Sequence, residues 1–418
     1  MSFRFVHTAD LHLDAPLKAI AFRDAALARE VAGASRAAFS RIVDLCIGEG
    51  AAFLLIAGDL WDGDYSSTKT PRFLKQELLR LHRAGIRCYI IRGNHDAMAR
   101  QTGELEAPDN TLVFGGRPST QELEIDGDRI AIHGLSFREV HAAESLLPRY
   151  PPPKQGAFNI GMLHTSLNGS PGHDPYAPCS LAELEAHGYD YWALGHIHRR
   201  SEHVGRATIV MPGIPQGRDI GEAGPMSVTL VTVADDGRVT TEPRQVAPLR
   251  FDRMAIDCGT VEDWPELLTH LEAEIHRIGR APRFEDHLVL RPVLQGVSPL
   301  AWRVRRDLDR LTEEARAFAA DAGVWIDKLE CQLADGQATA IEAQLPADLV
   351  RMVRHDLPAD PGLAAALASA AQDLARDLPP ELRDMLGADE AELAALCQRL
   401  LAEGSPAILA RLASDRAA

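Results

Sequence analysis

The stretch Ala193-Leu194-Gly195-His196-Ile197-His198 decides how the chain is read. Two imidazoles two residues apart follow an apolar run. On a strand they would share one face. The glycine before them marks a strand end opening into a loop, where each ring turns towards a separate ion. Four more clusters lie upstream: Asp10-Leu11-His12, Gly58-Asp59-Leu60-Trp61-Asp62, Gly93-Asn94-His95-Asp96 and Leu163-His164-Thr165. Each follows an apolar run rich in β-branched residues, at 3–6, 52–57, 88–91 and 159–163. Such runs predict buried strands. Oxygen and nitrogen donors at five strand ends would converge on one edge of a sheet, where open α/β sheets place their sites.

The order D-x-H, G-D-x-x-D, G-N-H-D, H, G-H-x-H resembles the calcineurin-like metallophosphoesterase superfamily. His7-Thr8-Ala9-Asp10-Leu11-His12-Leu13 is similar to the opening of SbcD, the nuclease subunit of the bacterial SbcCD complex. Leu163-His164-Thr165-Ser166-Leu167 and Gly213-Ile214-Pro215-Gln216-Gly217-Arg218 are similar to the YhaO-type DNA repair exonucleases. The motifs run from His7 to Arg218, about half of the chain; together and in order they are specific, whereas any one alone is weak. The resemblance implies an α/β metallophosphoesterase sandwich: two mixed β-sheets flanked by helices, with a small α+β cap domain after it.

Splitting a phosphodiester requires an activated water, neutralised phosphoryl charge and help for the leaving oxygen. Two divalent metals supply the first two. A bridging carboxylate needs two free oxygens, which suits Asp59 at the centre of its motif. By resemblance, Asp10, His12 and His198 complete one metal site, and Asn94, His164 and His196 the other. The mix of nitrogen and oxygen donors suits Mn²⁺ and tolerates Fe, Zn or Co; the resemblance selects Mn²⁺. It also implies that His95 is a catalyst rather than a ligand, donating a proton to the leaving oxygen. Asp62 would hold that imidazole protonated. Archaeal and eukaryotic relatives of SbcD tend to carry His at this place, and phosphatase members Asp, so substrate class stays open at that position.

Other residues near the motifs have plainer readings. His7 is read as packed or hydrogen-bonded, and His133 as a satisfied core histidine. Asp96 either supports the ligands or caps the next segment, and Asp14 and Asp64 are loop residues. Trp61 is read as packing rather than base stacking. Arg199 and Arg200 are as readily surface arginines as phosphate clamps, whereas Arg218, inside Gln216-Gly217-Arg218, is expected to bind substrate.

The chain has 418 residues, 46% hydrophobic and 25% charged, enough for a sizeable core and two or three domains. Its apolar stretches are too short to span a bilayer, and Met1-Ser2-Phe3-Arg4 enters a strand-like run rather than a signal peptide. The six cysteines form no C-x-x-C pair and are expected reduced, as in a cytoplasmic protein with no membrane association. The net charge of −16 argues against direct nucleic-acid affinity, unless metals or a partner provide the positive charge.

Helical spacing is expected at 30–48 and 67–84, the latter with Ser67 or Thr68 near its start, Pro71 in its first turn and Gly85 after it. With the first three strands this gives βαβαβ, hence parallel pairing with right-handed crossovers. Hairpin turns are expected at Asp126-Gly127 and Asp236-Gly237. Three domains follow: 1–248, the metallophosphoesterase (nuclease) domain; 249–345, an α+β cap domain that could contact DNA; and 346–418, a helical region. Within the cap, helices are expected at 261–279 and 300–322 and a last strand at 324–333. The final region lacks aromatic residues and is expected to hold short amphipathic helices broken by Pro358, Pro361, Pro379-Pro380 and Pro406. It either docks an SMC-like ATPase of the SbcC/YhaN type, as the resemblance implies, or packs on its own chain.

The expected function is a metal-dependent DNA nuclease, an exonuclease with endonuclease activity also open, working in DNA repair with that ATPase. A homodimer is left open. The alternatives are a metallophosphatase or small-molecule phosphodiesterase of the same superfamily, and a non-catalytic scaffold for DNA or the ATPase. The complete ligand set weighs against the scaffold.

Overall fold

The computed structural model describes residues 3–15, 27–28, 31–61, 69–98, 107–137, 142–167, 176–334, 345–377 and 390–414. Asp62, Asp64, Ser67, Thr68, Glu30 and the Pro379-Pro380 pair lie outside the described residues. The chain divides into two compact units, Met1–Phe251 with Arg283–Leu288, and Asp252–Pro282 with Val289–Ala418.

The first unit holds strands β1 (Phe3–Thr8), β2 (Phe53–Ala57), β3 (Arg87–Ile91), β4 (Thr111–Val113), β5 (Ser119–Ile125), β6 (Asp128–Gly134), β7 (Phe158–His164), β8 (Tyr191–Gly195), β9 (Ser201–Val204), β10 (Thr208–Met211), β11 (Ser227–Val233) and β12 (Val239–Gln245). Its helices include α1 (Ala34–Gly48), α2 (Lys69–Arg83), α3 (Asn94–Met98) and α4 (Leu181–His187). One sheet runs β12-β11-β1-β2-β3-β4 and the other β5-β6-β7-β8-β10-β9. Strands β1 to β4 pair parallel, as the βαβαβ reading requires, and β11 closes antiparallel on β1. In the second sheet β6, β7, β8 and β10 are parallel, with β5 and β9 antiparallel at the edges. Both sheets are therefore mixed. The short edge strand β9 has no counterpart in the sequence reading; its side chains are mostly exposed and carry no apolar alternation.

The strand period of two sorts the core. Phe3, Phe5, Phe53, Leu55, Tyr89 and Ile91 face the second sheet and meet Ile130, Ile132, Ile160, Met162, Tyr191 and Val210. Val6, Leu54, Ile56, Cys88 and Ile90 face the other way, onto Phe39 and Ile42 of α1 and Leu74 and Leu78 of α2. Coverage on both faces is why these strands read as continuous apolar runs. Each such buried side chain contributes about 1.5–3 kcal/mol. Turns fix the register. Asp126 (φ 51°) and Gly127 (φ 94°) are both left-handed, as a two-residue hairpin between Ile125 and Asp128 demands. Helix α4 starts on a reciprocal cap between Ser180 and Glu183 and ends at Gly188 (φ 88°).

The second unit centres on a sheet in which β14 (His287–Gln295) lies between β13 (Leu249–Asp257) and β15 (Trp325–Ile326), with β16 (Glu330–Cys331) also on β14. Helix α5 (Trp264–Gly279) is capped by Asp263, three residues later than the expected start at 261. The single helix expected over 300–322 is instead two, α6 (Ala301–Arg306) and α7 (Leu308–Ala322). Asp307 (φ −105°, ψ 23°) leaves the helical region, and its carboxylate binds Arg306. The expected strand over 324–333 is two strands of two residues. Arg291 on β14 reaches Asp327 and Glu330, drawing the intervening chain out of the ladder.

The C-terminal helices are α8 (Ala347–Arg351), which passes into a π-turn at Met352–Asp356, then α9 (Pro361–Asp377) and α10 (Glu390–Ser414). Pro361 opens a helix at its first position, where no N–H is needed. Pro406 does not break one. Helix α10 continues through it, the Ser405 hydroxyl donates to Leu401 O at 2.9 Å, and Leu409 packs in a small core with Leu345 and Val353. That packing outweighs the proline's local cost. Helix α10 also contacts α6. All six cysteines are free thiols. Among the described residues, no helix is long and apolar enough to cross a membrane.

Candidate metal centre

The described residues of the five donor clusters sit just past, or at, the C-terminal end of a parallel strand: β1, β2 and β3 in one sheet, β7 and β8 in the other. The loops are tied to each other by main chain. Asp10 N donates to Gly58 O, His12 N to Asp59 O and Leu13 N to Leu60 O, each at 3.0 Å. Asp96 stitches the third loop to the second, accepting from Trp61 N at 3.0 Å and Gly93 N at 2.9 Å. Burial and the nearby Asp59 charge push Asp96 up to about 7. It organises the loops, and Trp61 beside it is buried in the helix-side core.

Two donor clusters result. Asp10, His12 and His198 form one, and Asp59, His164 and His196 the other, with candidate ligand atoms inside each cluster within 4.8 Å of one another. His196 and His198, two residues apart, thus serve different clusters. In the first cluster, His12 Nε2 and His198 Nε2 face each other at 3.2 Å. In the second, His164 Nε2 lies 3.3 Å from Asp59 Oδ2 and 3.1 Å from Asn94 Oδ1, which brings Asn94 into the set. Asp59 Oδ2 is also 4.0 Å from His12 Nε2, so one oxygen stands between the clusters. Its other oxygen accepts from His95 N at 3.0 Å. Asp10 accepts from His196 N through both oxygens, at 3.1 and 3.0 Å.

The backbone is strained where the donors sit. Asp10 (φ 52°), His12 (φ 39°), Asp59 (φ 51°) and His196 (φ 99°) all occupy left-handed conformations. Such residues cost about 1–3 kcal/mol each and concentrate where geometry is functional. The glycines of the motifs make room. A Cβ on Gly93 would stand 2.2 Å from Asp59 Oδ1 and 2.7 Å from His164 Nε2, and one on Gly195 would stand 2.1 Å from Ala57 O.

Electrostatics follow the same grouping. Burial raises the Asp10 carboxyl above its ordinary value, against the pull of His164 and His198. Burial also opposes ionisation of Asp59, yet the imidazoles of His164, His12 and His95 hold it well below the carboxylate range. His164 is buried, which alone would lower it, but Asp59 and Asp10 raise it to about 9. Carboxylates and imidazoles so closely packed need positive charge between them. Four imidazoles, two carboxylates and a carboxamide suit two divalent cations of borderline hardness. The donor set therefore fits the expected metals.

His95 borders this set without joining either cluster. Its ring is edge-on to His12, with centroids 5.0 Å apart, and is partly exposed. His7 is fully buried, its Nε2–H donating to Leu194 O at 3.0 Å and its Nδ1 accepting from Tyr191 Oη at 2.9 Å. His133 bonds Thr120 and Asn159 and stacks on Tyr189, with ring centroids 4.3 Å apart. Asp14 is tied to Arg36 and Thr70. Arg199 is exposed, and Arg200 bonds Thr229 and Glu202. The Arg218 guanidinium, expected on substrate phosphate, is committed to Glu222 at 2.8 Å.

Glu222 is the residue that sequence reading missed. Its Oε1 lies 2.7 Å from His198 Nδ1, and the hydrogen bond from that ring together with the Arg218 guanidinium holds its carboxyl at about 2 in spite of burial. Glu222 lies four residues past Arg218, outside every motif, and a lone acid there carries no pattern that ties it to His198. Tyr176 was missed too; its ring meets that of His196 at 4.8 Å.

Comparison with known proteins agrees with this geometry. Residues 3–200 match the calcineurin-like phosphoesterase family, and residues 251–334 match the middle domain of metallophosphoesterase YhaO. The chain is 25% identical to the DNA double-strand break repair protein Mre11 of Methanopyrus kandleri, across 92% of this chain and 85% of that one. It is 28% identical to the Mre11 of Methanocaldococcus jannaschii across 47% and 51% respectively. It is 34% identical to the uncharacterized metallophosphoesterase YhaO of Bacillus subtilis, across 71% of this chain and 72% of the relative. On that match the protein belongs, with YhaO, to the calcineurin-like phosphoesterase family.

Proposed function

We propose that the protein is a metal-dependent DNA nuclease that hydrolyses phosphodiester bonds in DNA repair, using two Mn²⁺ ions. The single observation that supports hydrolysis at a paired-metal centre is Asp59 Oδ2, lying between His164 Nε2 at 3.3 Å and His12 Nε2 at 4.0 Å, one from each cluster. The likeness to a DNA double-strand break repair protein across nearly the whole chain supports DNA as substrate. Asp10, His12 and His198 would hold one ion, Asn94, His164 and His196 the other, and Asp59 both. Bound there, the cations neutralise phosphoryl oxygens and make water nucleophilic near neutral pH.

The chain's own residues do the rest. His95, partly exposed and carried on the first turn of α3, donates a proton to the leaving oxygen. Asp62 would hold that imidazole protonated, as the resemblance implies. Arg218, at the rim beside His198, adds positive charge where a phosphate enters. Exonucleolytic cleavage is the primary activity, and an SMC-like ATPase is the partner that the opening motif's resemblance carries with it.

The net charge of −16 favours a second reading, a phosphatase or small-molecule phosphodiesterase with the same centre. Metal-free protein reconstituted with Mn²⁺, Fe²⁺, Zn²⁺ or Co²⁺ is assayed on linear duplex and single-stranded DNA, a cyclic nucleotide and a chromogenic phosphomonoester. DNA cleavage stimulated most by Mn²⁺ is expected. Phosphomonoester turnover without DNA cleavage would establish the second reading, and binding of DNA without any turnover would leave a scaffold.

A further inference from the structure

The two clusters hold their imidazoles by different means. His164 Nδ1 donates to Ala57 O, a main-chain carbonyl at the end of β2, at 2.9 Å, and the ring is completely buried. No side-chain substitution can remove that acceptor. His198 is one-quarter exposed, and its Nδ1 meets a carboxylate, Glu222 Oε1, at 2.7 Å. A carboxylate oxygen only accepts, so the proton sits on Nδ1 and the Nε2 lone pair points towards His12 Nε2, 3.2 Å away. Arg218 Nη2 is 3.1 Å from the same Nδ1, but a donor cannot bond an N–H; its hydrogens go to Glu222 Oε1, 2.8 Å away.

Glu222 is itself built into place. It ends a short turn, Ile220–Glu222, whose start is capped by Asp219. The Arg218 main-chain N–H donates to its Oε2 at 2.7 Å, and the carboxylate is mostly buried. The whole assembly lies on the segment that follows β10, far in sequence from the glycine-histidine motif it serves.

We infer that Glu222 is a positioning residue that makes the Asp10–His12–His198 cluster a metal site: it fixes the His198 tautomer and ring, and strengthens the ring as a donor. Carboxylates that orient metal-binding imidazoles change metal affinity about 10- to 100-fold when removed. Because Ala57 O does the same work for His164, loss of Glu222 weakens one site and spares the other. The inference rests on the two-metal centre and not on DNA as substrate, so a chain that cleaves no DNA can still satisfy it.

The test titrates metal-free, full-length protein with Co²⁺, following the visible absorption of the bound ion and the stoichiometry by calorimetry. The wild type is expected to take up two equivalents. Glu222→Gln keeps an acceptor but loses the charge; Glu222→Ala loses both. In each, one equivalent should bind as in the wild type, and the other should bind about 10- to 100-fold more weakly with an altered spectrum, Ala more than Gln. Melting of the metal-free forms distinguishes this from misfolding, and Gln, nearly isosteric, keeps the test open if Ala unfolds. Two unchanged equivalents in a folded variant, or equal weakening of both, would overturn the assignment.

Discussion

His164 Nε2 stands 3.3 Å from Asp59 Oδ2, and neither residue reaches solvent. The pair ties β7 of one sheet to the loop after β2 of the other, with a second imidazole, His12, 4.0 Å from the same oxygen. Asp59→Asn replaces the shared oxygen anion by a neutral amide in a site that burial already makes hostile to uncompensated charge. Metal content by elemental analysis should fall well below two equivalents, and hydrolysis of any phosphoester should disappear. Two full equivalents in the variant would rule out the bridging role.

Gly93→Ala tests the fit of the cradle. The added methyl would stand 2.2 Å from Asp59 Oδ1 and 2.7 Å from His164 Nε2, distances that force one of those side chains away. Metal affinity should drop at least tenfold while the β-sheet signature in circular dichroism persists. An alanine variant with wild-type metal binding would mean that the pocket is looser than the structure describes.

His95→Ala should behave unlike either. The ring lies outside both clusters but edge-on to His12. Both metals should remain bound and the DNA dissociation constant should change little, while turnover falls by about 10²–10⁴, as for a lost general acid. A parallel loss of metal would make His95 a ligand instead.

The donors were legible because each lies within a few residues of an apolar run, and a strand followed by Gly, Asp or His is a local pattern. Glu222 was not, because it reaches His198 through a turn of the chain and through no motif of its own. The break at Asp307 was equally hidden: Leu300, Val304, Leu308 and Leu311 keep helical spacing across it, while the carboxylate's bonds to Arg306 hold the interruption. Pro406 misled in the opposite direction, since tertiary packing of Leu409 decides what local propensity alone leaves unfavourable.

Two buried histidines that bind no metal give the pH dependence. Burial lowers His7 to about 3, against the bond it donates to Leu194 O, and lowers His133 to about 4. The unfolded chain protonates them near pH 6.5, so between that value and about 4 it binds more protons than the native state. Their contribution is therefore complete above about pH 6.5 and is lost as the pH falls, on the order of a few kcal/mol in total. Urea midpoints of the metal-free protein between pH 8 and 4.5 should decline, and His7→Gln should be less stable at pH 8 yet decline less steeply. Identical slopes for variant and wild type would show that His7 titrates normally.

The residues from Pro346 onward carry twelve acidic side chains against seven arginines and no lysine, which disfavours direct contact with DNA. Within the second unit α10 contacts α6, and Leu345, Val353 and Leu409 share a small core. Truncation after Leu345 removes two of those three side chains, about 1.5–3 kcal/mol of burial each, and bares the face of α6. The second unit should melt earlier, while the first keeps two metal equivalents and its basal hydrolysis. If the tail also docks an SMC-like ATPase, co-purification with that partner and any ATP-stimulated cleavage of duplex ends should vanish with it. Unchanged melting would show that the tail is not core structure. Unchanged ATPase binding by a truncated protein would move the docking surface elsewhere on the chain.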